Sequence, residues 1–374
     1  MSLIRFGLLI SGGLFALILM GCKQEVDPIR SLLQGPYELG RLDKKDKIVL
    51  FDSVKSGERR VFLEQSSVAN FMAPIMDYYV DDSFVYVLDG ATPVKVFDRE
   101  GNFVSTLGGY GEGPDEYLFP AQIFRCQDMV GIYDMVRKKF IFYKQLKYVY
   151  DFAFYAGGNL LDDPICHENY LYISVRGFTP DWPYHLLQID TTGTVLKAVM
   201  PMNDKYYAYF LTGLFEGYLA KIGNKIALAL ALYKKVFYFD QNLDSLYSEP
   251  LIMPPRCETW DWPEINAIDI DNEREVNALR KLVREQAPCT FVSMFPFQKY
   301  VVYNYLIGEN VNTKLPVSII YDPKNRSRMY LIGGGRLYIH NDGWSECSSD
   351  MQYRLYCDFF QIDLRRATPL VTNK

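Results

Sequence analysis

Histidine is nearly missing from this chain, with only His167, His185 and His340 among 374 residues. So few imidazoles leave little room for a histidine-based catalytic centre. No G-x-S-x-G elbow, H-E-x-x-H pair or phosphate-binding loop accompanies them. Each histidine reads as a structural residue at a strand edge. The cysteines include no C-x-x-C spacing, which argues against a zinc site. Net charge is −5, and no basic stripe is interleaved with aromatics, so nucleic acid is not an expected partner. Long helical periodicity is scarce as well. With aromatics at 15%, mostly Tyr and Phe, that favours an all-β protein.

What is present is a repeated phrase: two or three apolar residues, an Asp, then a polar turn. Val96-Phe97-Asp98-Arg99-Glu100-Gly101 is the clearest copy. Ile189-Asp190, Phe239-Asp240, Tyr321-Asp322 and Ile362-Asp363 repeat it, and Tyr143-Lys144 is a degenerate copy. From residue 98 the steps are 46, 46, 50, 82 and 41. A period of roughly 40–50 residues built from short strands marks a β-propeller, one blade per copy. Each copy expands into strands, for example 83–89, 93–98 and 103–107, which gives six blades. The last blade runs out of chain, while Lys47-Ile48-Val49-Leu50-Phe51-Asp52 is a strand with no blade ahead of it. The expectation is an all-β, six-bladed propeller closed by this N-terminal strand; a seventh, partial blade is the alternative. The long step contains a helical insertion, about 260–288, between blades four and five. There Val276, Leu279, Leu282 and Val283 recur at helical spacing after a cap at Asp271 or Asn272.

The first 22 residues stand apart. Arg5 precedes an apolar run, too short for a comfortable span, that ends Leu19-Met20-Gly21-Cys22 and resembles a bacterial lipobox. The expected division is a signal peptide over 1–21, a lipidated tether over 22–34 from Cys22, and the propeller over 35–370. Lys23-Gln24-Glu25-Val26-Asp27 is similar to the surface-export signal of Bacteroidetes lipoproteins. Together these place the protein on the outer membrane, on the cell surface or otherwise facing the periplasm, held by its lipid anchor. Export permits disulfides. Cys257 and Cys289 bracket the insertion and can clip its ends; Cys347 and Cys357 can face each other across a hairpin. Buried free thiols read at least as well for Cys126 and Cys166.

Directly after the first complete blade comes Gly108-Gly109-Tyr110-Gly111-Glu112-Gly113-Pro114-Asp115-Glu116-Tyr117-Leu118-Phe119-Pro120. This segment resembles the G-x-G-x-G-P-G-E-Y…P pattern of the NHL-like, six-bladed β-propeller lipoproteins of Bacteroides and relatives. It departs from that pattern at Asp115, where Gly is usual. The resemblance implies a fold and a location, and it carries no catalytic residues.

Propeller geometry sorts the loops. Connections between blades, and loops between second and third strands, open on one end; the remaining turns open on the other. Trp182 and Trp344 read as second-to-third loops of blades three and six, and Trp260 and Trp262 begin the insertion. All four are expected on one face, with Asp181, Asp261 and Asp342 beside them. Tryptophan packs down or stacks on ligands, and four on one face point to a glycan or a peptide. Two other readings stay open. Acidic residues at the mouth (Asp89, Asp115, Glu116, Asp181, Asp261, Asp342) can hold Ca²⁺ for a metal-dependent hydrolase or lyase. Alternatively, the same face meets a protein partner as an accessory subunit of an outer-membrane complex.

Overall fold

The computed structural model describes residues 45–65, 75–89, 93–154, 159–160, 164–176, 184–202, 217–260, 272–308, 315–332, 338–340, 343–349, 355–362 and 364–366. Six sheets follow one another along the chain. Blade one is Asp77–Val80, Phe84–Leu88, Val94–Asp98 and Phe103–Leu107, each strand antiparallel to the last. Blade two (residues 120–153) and blade four (217–250) repeat this order. Blade three (159–201) splits its first position between Asn159–Leu160 and Ile165–His167.

The second and third strands are apolar on both sides because each blade is covered by two neighbours. Burial accordingly falls into six clusters, one per seam. Val96, Ile123 and Ile141 meet between blades one and two. Phe140, Phe142, Ile173 and Leu187 meet between blades two and three. The seams between blades three and four, four and five, and five and six hold their own sets. Val61, Val85, Phe97 and Cys357 fill the sixth, between blades six and one, so the ring is closed.

Closure uses a different strand from the one expected. Lys55–Phe62 takes the outer position of blade six, antiparallel to Leu355–Ile362. Arg60 lies opposite Asp358 and donates two hydrogen bonds to its carboxylate, both of 2.7 Å. The expected strand instead runs Lys47–Leu50 and adds a parallel fifth strand to blade five, beside Ser327–Ile332. The reason is burial. Ile48 enters the seam between blades four and five, while Val49 and Phe51 enter the seam between five and six. An outermost strand faces solvent on its far side, and Lys55–Phe62 is mostly exposed with Val61 as its one fully buried residue. The most apolar stretch is therefore the wedge, and the polar stretch after it is the closing strand.

Blade six also departs from expectation. It runs Tyr338–His340, Gly343–Ser349 and Leu355–Ile362 from inside out. The stretch expected to be a loop is its second strand, Gly343–Ser349, which holds three Ser and one Glu and no β-branched residue.

Disulfides join Cys257 to Cys289 and Cys126 to Cys166. The second pair corrects the free-thiol reading. Cys126 ends the inner strand of blade two and Cys166 lies in the inner strand of blade three, which brings their Cα atoms to 5.0 Å. Two strands from different blades leave no local sequence spacing to read. Cys357 is disulfide-bonded as well, and stands opposite Cys347 in the strand register.

Within the insertion, Glu273–Gln286 is a helix. Asn272 caps it: its Oδ1 accepts from the Arg274 N–H at 3.2 Å and its amide donates to Glu275 Oε1 at 3.0 Å. Val276 and Leu279 are buried, whereas Leu282 stays 36% exposed, so only part of the expected stripe is covered.

Candidate functional site

The two ends of the ring are built differently. At one end every described turn is two to five residues long, as between Cys126 and Met129 or between Asp98 and Phe103. The repeated Asp belongs here: it ends the third strand and caps the turn that follows. Asp98 Oδ1 accepts from the N–H groups of Glu100 and Asn102, and Asp190 Oδ1 from those of Thr192 and Thr194. Asp240 and Asp322 do the same for their turns. Hydrogen bonds from the Asn102 and Thr192 side chains, with those backbone donors, hold the Asp98 and Asp190 carboxyls below the usual range. These are Asx turns rather than ligand sites. The described parts of the longer connections sit at the opposite end: 108–119, 251–260 and 272–288.

One of them, the Gly-rich run, is fully engaged in holding two blades together. Gly109–Tyr110 pairs in parallel with Glu116–Tyr117. The buried Lys139 ammonium donates to the carbonyls of Gly113 and Pro114 at 2.9 and 2.7 Å and pairs with Asp151 at 2.7 Å. Asp134, fully buried, accepts from the N–H groups of Leu118 and Phe119. Tyr117 donates to the Leu107 carbonyl and accepts from the Val94 N–H. Asp115 Oδ1 accepts from the Tyr143 hydroxyl at 2.6 Å, and Glu116 Oε2 from the Gly113 N–H at 2.7 Å. The glycines make room for this: at Gly108, with φ +65°, a Cβ would stand 2.5 Å from the Tyr143 hydroxyl and 2.9 Å from the Asp115 carbonyl. Gly108→Ala is expected to lower stability by about 2–3 kcal/mol through left-handed strain and this crowding. A urea midpoint equal to that of the parent chain would refute the clasp.

The acidic residues once read as calcium ligands have other duties. Asp89 pairs with Lys95 at 3.2 Å, both fully buried, and Asp115 and Glu116 serve the clasp. Asp181, Asp261 and Asp342 lie outside the described residues. Among the described residues, no group of three or more His, Cys, Asp or Glu can hold a metal ion.

Of the four tryptophans, Trp182 and Trp262 lie outside the described residues, as does Cys22. Trp182 falls in the sequence between Tyr170–Arg176 and Tyr184–Asp190, the second and third strands of blade three. Trp260 follows the short helix Pro255–Glu258, whose Cys257 is stapled to Cys289. Trp344 leaves the set. It begins the second strand of blade six, opposite Ile339 and next to the first-to-second hairpin, which opens on the short-turn end. The expected loop is a strand here because Gly343–Ser349, with no β-branched residue to mark it, pairs with both Tyr338–His340 and Leu355–Ile362.

Sequence reasoning also missed two adjoining clefts at the short-turn end. One, of about 260 Å³, opens between blades one and two and includes Tyr79, Tyr86, Arg125 and Tyr143. The other, of about 310 Å³, opens between blades two and three and includes Gln127, Tyr150 and Asn169. These residues come from separate strands and turns, and no motif links them.

A closed ring of six antiparallel blades defines the molecule as a β-propeller. The chain matches the DUF5128 six-bladed β-propeller family over residues 75–331 and belongs to that family. Two solved structures share the fold. A candidate exported protein from Bacteroides fragilis is 12% identical, with a TM-score of 0.57 over 85% of this chain and 99% of that one. A DUF4221-family protein from Bacteroides vulgatus is 9% identical, with a TM-score of 0.55 over 83% of this chain and 98% of that one. At such identities the likeness is one of fold. No curated protein matches the chain in sequence. Among the described residues, no helix is long and apolar enough to cross a membrane.

Proposed function

We propose that this chain is an exported, lipid-anchored binding protein that engages a glycan or a peptide at the end of the propeller carrying the long connections. The observation that supports this most is the asymmetry of the ring. The turns at one end are short and capped by aspartates, whereas the connections long enough to shape a site gather at the other. A rigid scaffold with long loops at one end is the usual way a repeat fold carries a binding surface. Trp182, Trp260 and Trp262, with Asp181 and Asp261, supply flat apolar faces beside acceptors. The Cys257–Cys289 staple closes the base of the 258–288 segment and limits how far Trp260 can move. Binding rather than calcium-dependent hydrolysis is favoured because Asp89, Asp115 and Glu116 are engaged by internal donors.

The test has two arms. Titrating the mature protein with a panel of glycans and peptides is expected to quench tryptophan fluorescence, and Trp182→Ala and Trp260→Ala are expected to weaken that ligand at least tenfold. Full affinity in both variants would overturn the site. Cys22→Ala is expected to move the protein from the membrane fraction to the soluble one, and continued membrane retention would overturn the anchor.

A further inference from the structure

The cleft between blades one and two is walled by rings that are held in place from outside it. Tyr79 and Tyr86 stack with centroids 5.8 Å apart and planes 25° apart. Phe84 meets Tyr86 edge-on at 6.2 Å. The Tyr86 hydroxyl donates to Asp81 Oδ2 at 2.8 Å, while Asp81 Oδ1 is fixed by the N–H groups of Ser83 and Phe84. Tyr143 donates to Asp115, so its hydroxyl is drawn towards the clasp. Asp115 is the position at which the chain departs from the glycine of the lipoprotein pattern. That departure orients a wall of the cleft. Burial pushes the Tyr79 hydroxyl up to about 12, so it stays protonated and able to donate at neutral pH.

Polar groups gather at the mouth. Arg125, Gln127 and Gln145 are exposed there, offering guanidinium donors and amides that both donate and accept. Of the charged side chains lining the cleft, Asp128 is neutralised from outside by the Lys144 ammonium at 2.6 Å, which leaves Asp81 and Asp82 with Arg125. The site therefore has no strong preference for an anion or a cation. Gln127 and Met129 are shared with the second cleft, and the Gln127 amide donates to the Glu168 carbonyl, which fixes the ridge between the two. Each cleft is at the small end of ligand pockets, which run from roughly 300 Å³ upwards.

We propose that the two clefts are consecutive subsites for a neutral oligosaccharide, one sugar ring in each. The half-buried rings of Tyr79 and Phe84, backed by the buried Tyr86, are already held in place and stack against the apolar side of a sugar without an ordering cost. Amide and guanidinium groups answer its hydroxyls, and near-neutral surroundings favour an uncharged ligand over an ionic one. The shared ridge at Gln127 makes occupancy of both clefts by one molecule more favourable than two separate rings. This site lies at the opposite end from the connection that carries Trp260, so it does not depend on the reading above.

Isothermal titration calorimetry of the mature chain with cellobiose, maltose, mannobiose and chitobiose, and with their monosaccharides, tests it. At least one disaccharide is expected to bind at least tenfold more tightly than its monosaccharide. Arg125→Met, which removes the guanidinium and with it the Nε hydrogen bond to the Gln127 carbonyl, is expected to weaken that disaccharide at least tenfold while the thermal melt stays that of the parent chain. Asn169→Ala in the second cleft is expected to weaken the disaccharide and spare the monosaccharide. Absence of binding by all four disaccharides, or equal affinity for disaccharide and monosaccharide, would overturn the proposal. So would loss of sugar binding in Trp182→Ala with full binding in Arg125→Met, which would place the sugar at the other end.

Discussion

Deleting the chain through Phe62 is expected to abolish cooperative folding, whereas deleting it only through Leu50 is expected to leave a closed ring of reduced stability. The difference follows from which strand closes the propeller. Lys47–Leu50 contributes two deeply buried side chains, Ile48 and Val49, to seams that blades already form. At about 1.5–3 kcal/mol for each apolar side chain, the shorter deletion costs roughly 3–6 kcal/mol. Removal through Phe62 adds Phe51, Val54 and Val61 to the loss, which brings it to roughly 8–15 kcal/mol. That matches the whole stability of an ordinary domain, about 5–15 kcal/mol. It also strips blade six of its outer strand, exposes an unpaired edge and opens the seam to blade one. Thermal melts followed by circular dichroism, with limited proteolysis, separate the outcomes. No cooperative melt after the shorter deletion would return the closing role to residues 47–52, and a cooperative melt after the longer one would show that the ring closes without either strand.

That strand marks a boundary between what this sequence discloses and what it does not. The ring is legible because the repeated phrase marks one structural place, the end of a third strand, where an aspartate must cap a tight turn in most blades. Asp98, Asp190, Asp240 and Asp322 each do so, and Lys144 ends the third strand of blade two, where the following turn is two residues long and needs no such cap. Closure is harder to read, since an outermost strand such as Lys55–Phe62 needs only one apolar side and resembles a polar linker. The Cys126–Cys166 bridge and the cleft at Tyr79, Arg125 and Gln145 are not legible at all. They depend on which blades become neighbours and on the direction each side chain takes from its strand. The Gly-rich segment lies between these cases. Its residues identify the family, but its role as a clasp depends on Lys139 and Asp134, which come from the next blade.

Acid is expected to weaken the fold well above the pH at which its carboxylates titrate, and His185 is the cause. This residue lies in the third strand of blade three and has no exposed surface. Burial lowers its pKa from 6.5 to about 3, because a charged imidazolium cannot be hydrated there. The unfolded chain keeps the ordinary value, so below pH 6.5 it binds a proton that the folded chain refuses. Stability from this site is therefore complete above about pH 6.5 and declines as pH falls towards 3. The slope approaches about 1.4 kcal/mol per pH unit once the unfolded form is fully protonated. At pH 5 the loss is about 2 kcal/mol. Asp98 and Asp190, held below the usual carboxylate range by their turn donors, lose their contribution only in stronger acid. The window from pH 4.5 to 6.5 thus isolates the histidine. Urea unfolding across it is expected to show a midpoint that drops with acid in the parent chain and stays nearly flat in His185→Leu. Because the leucine variant can lose packing, its absolute midpoint is not the readout; the slope against pH is. A slope that persists unchanged after the substitution would show that the proton is taken up elsewhere.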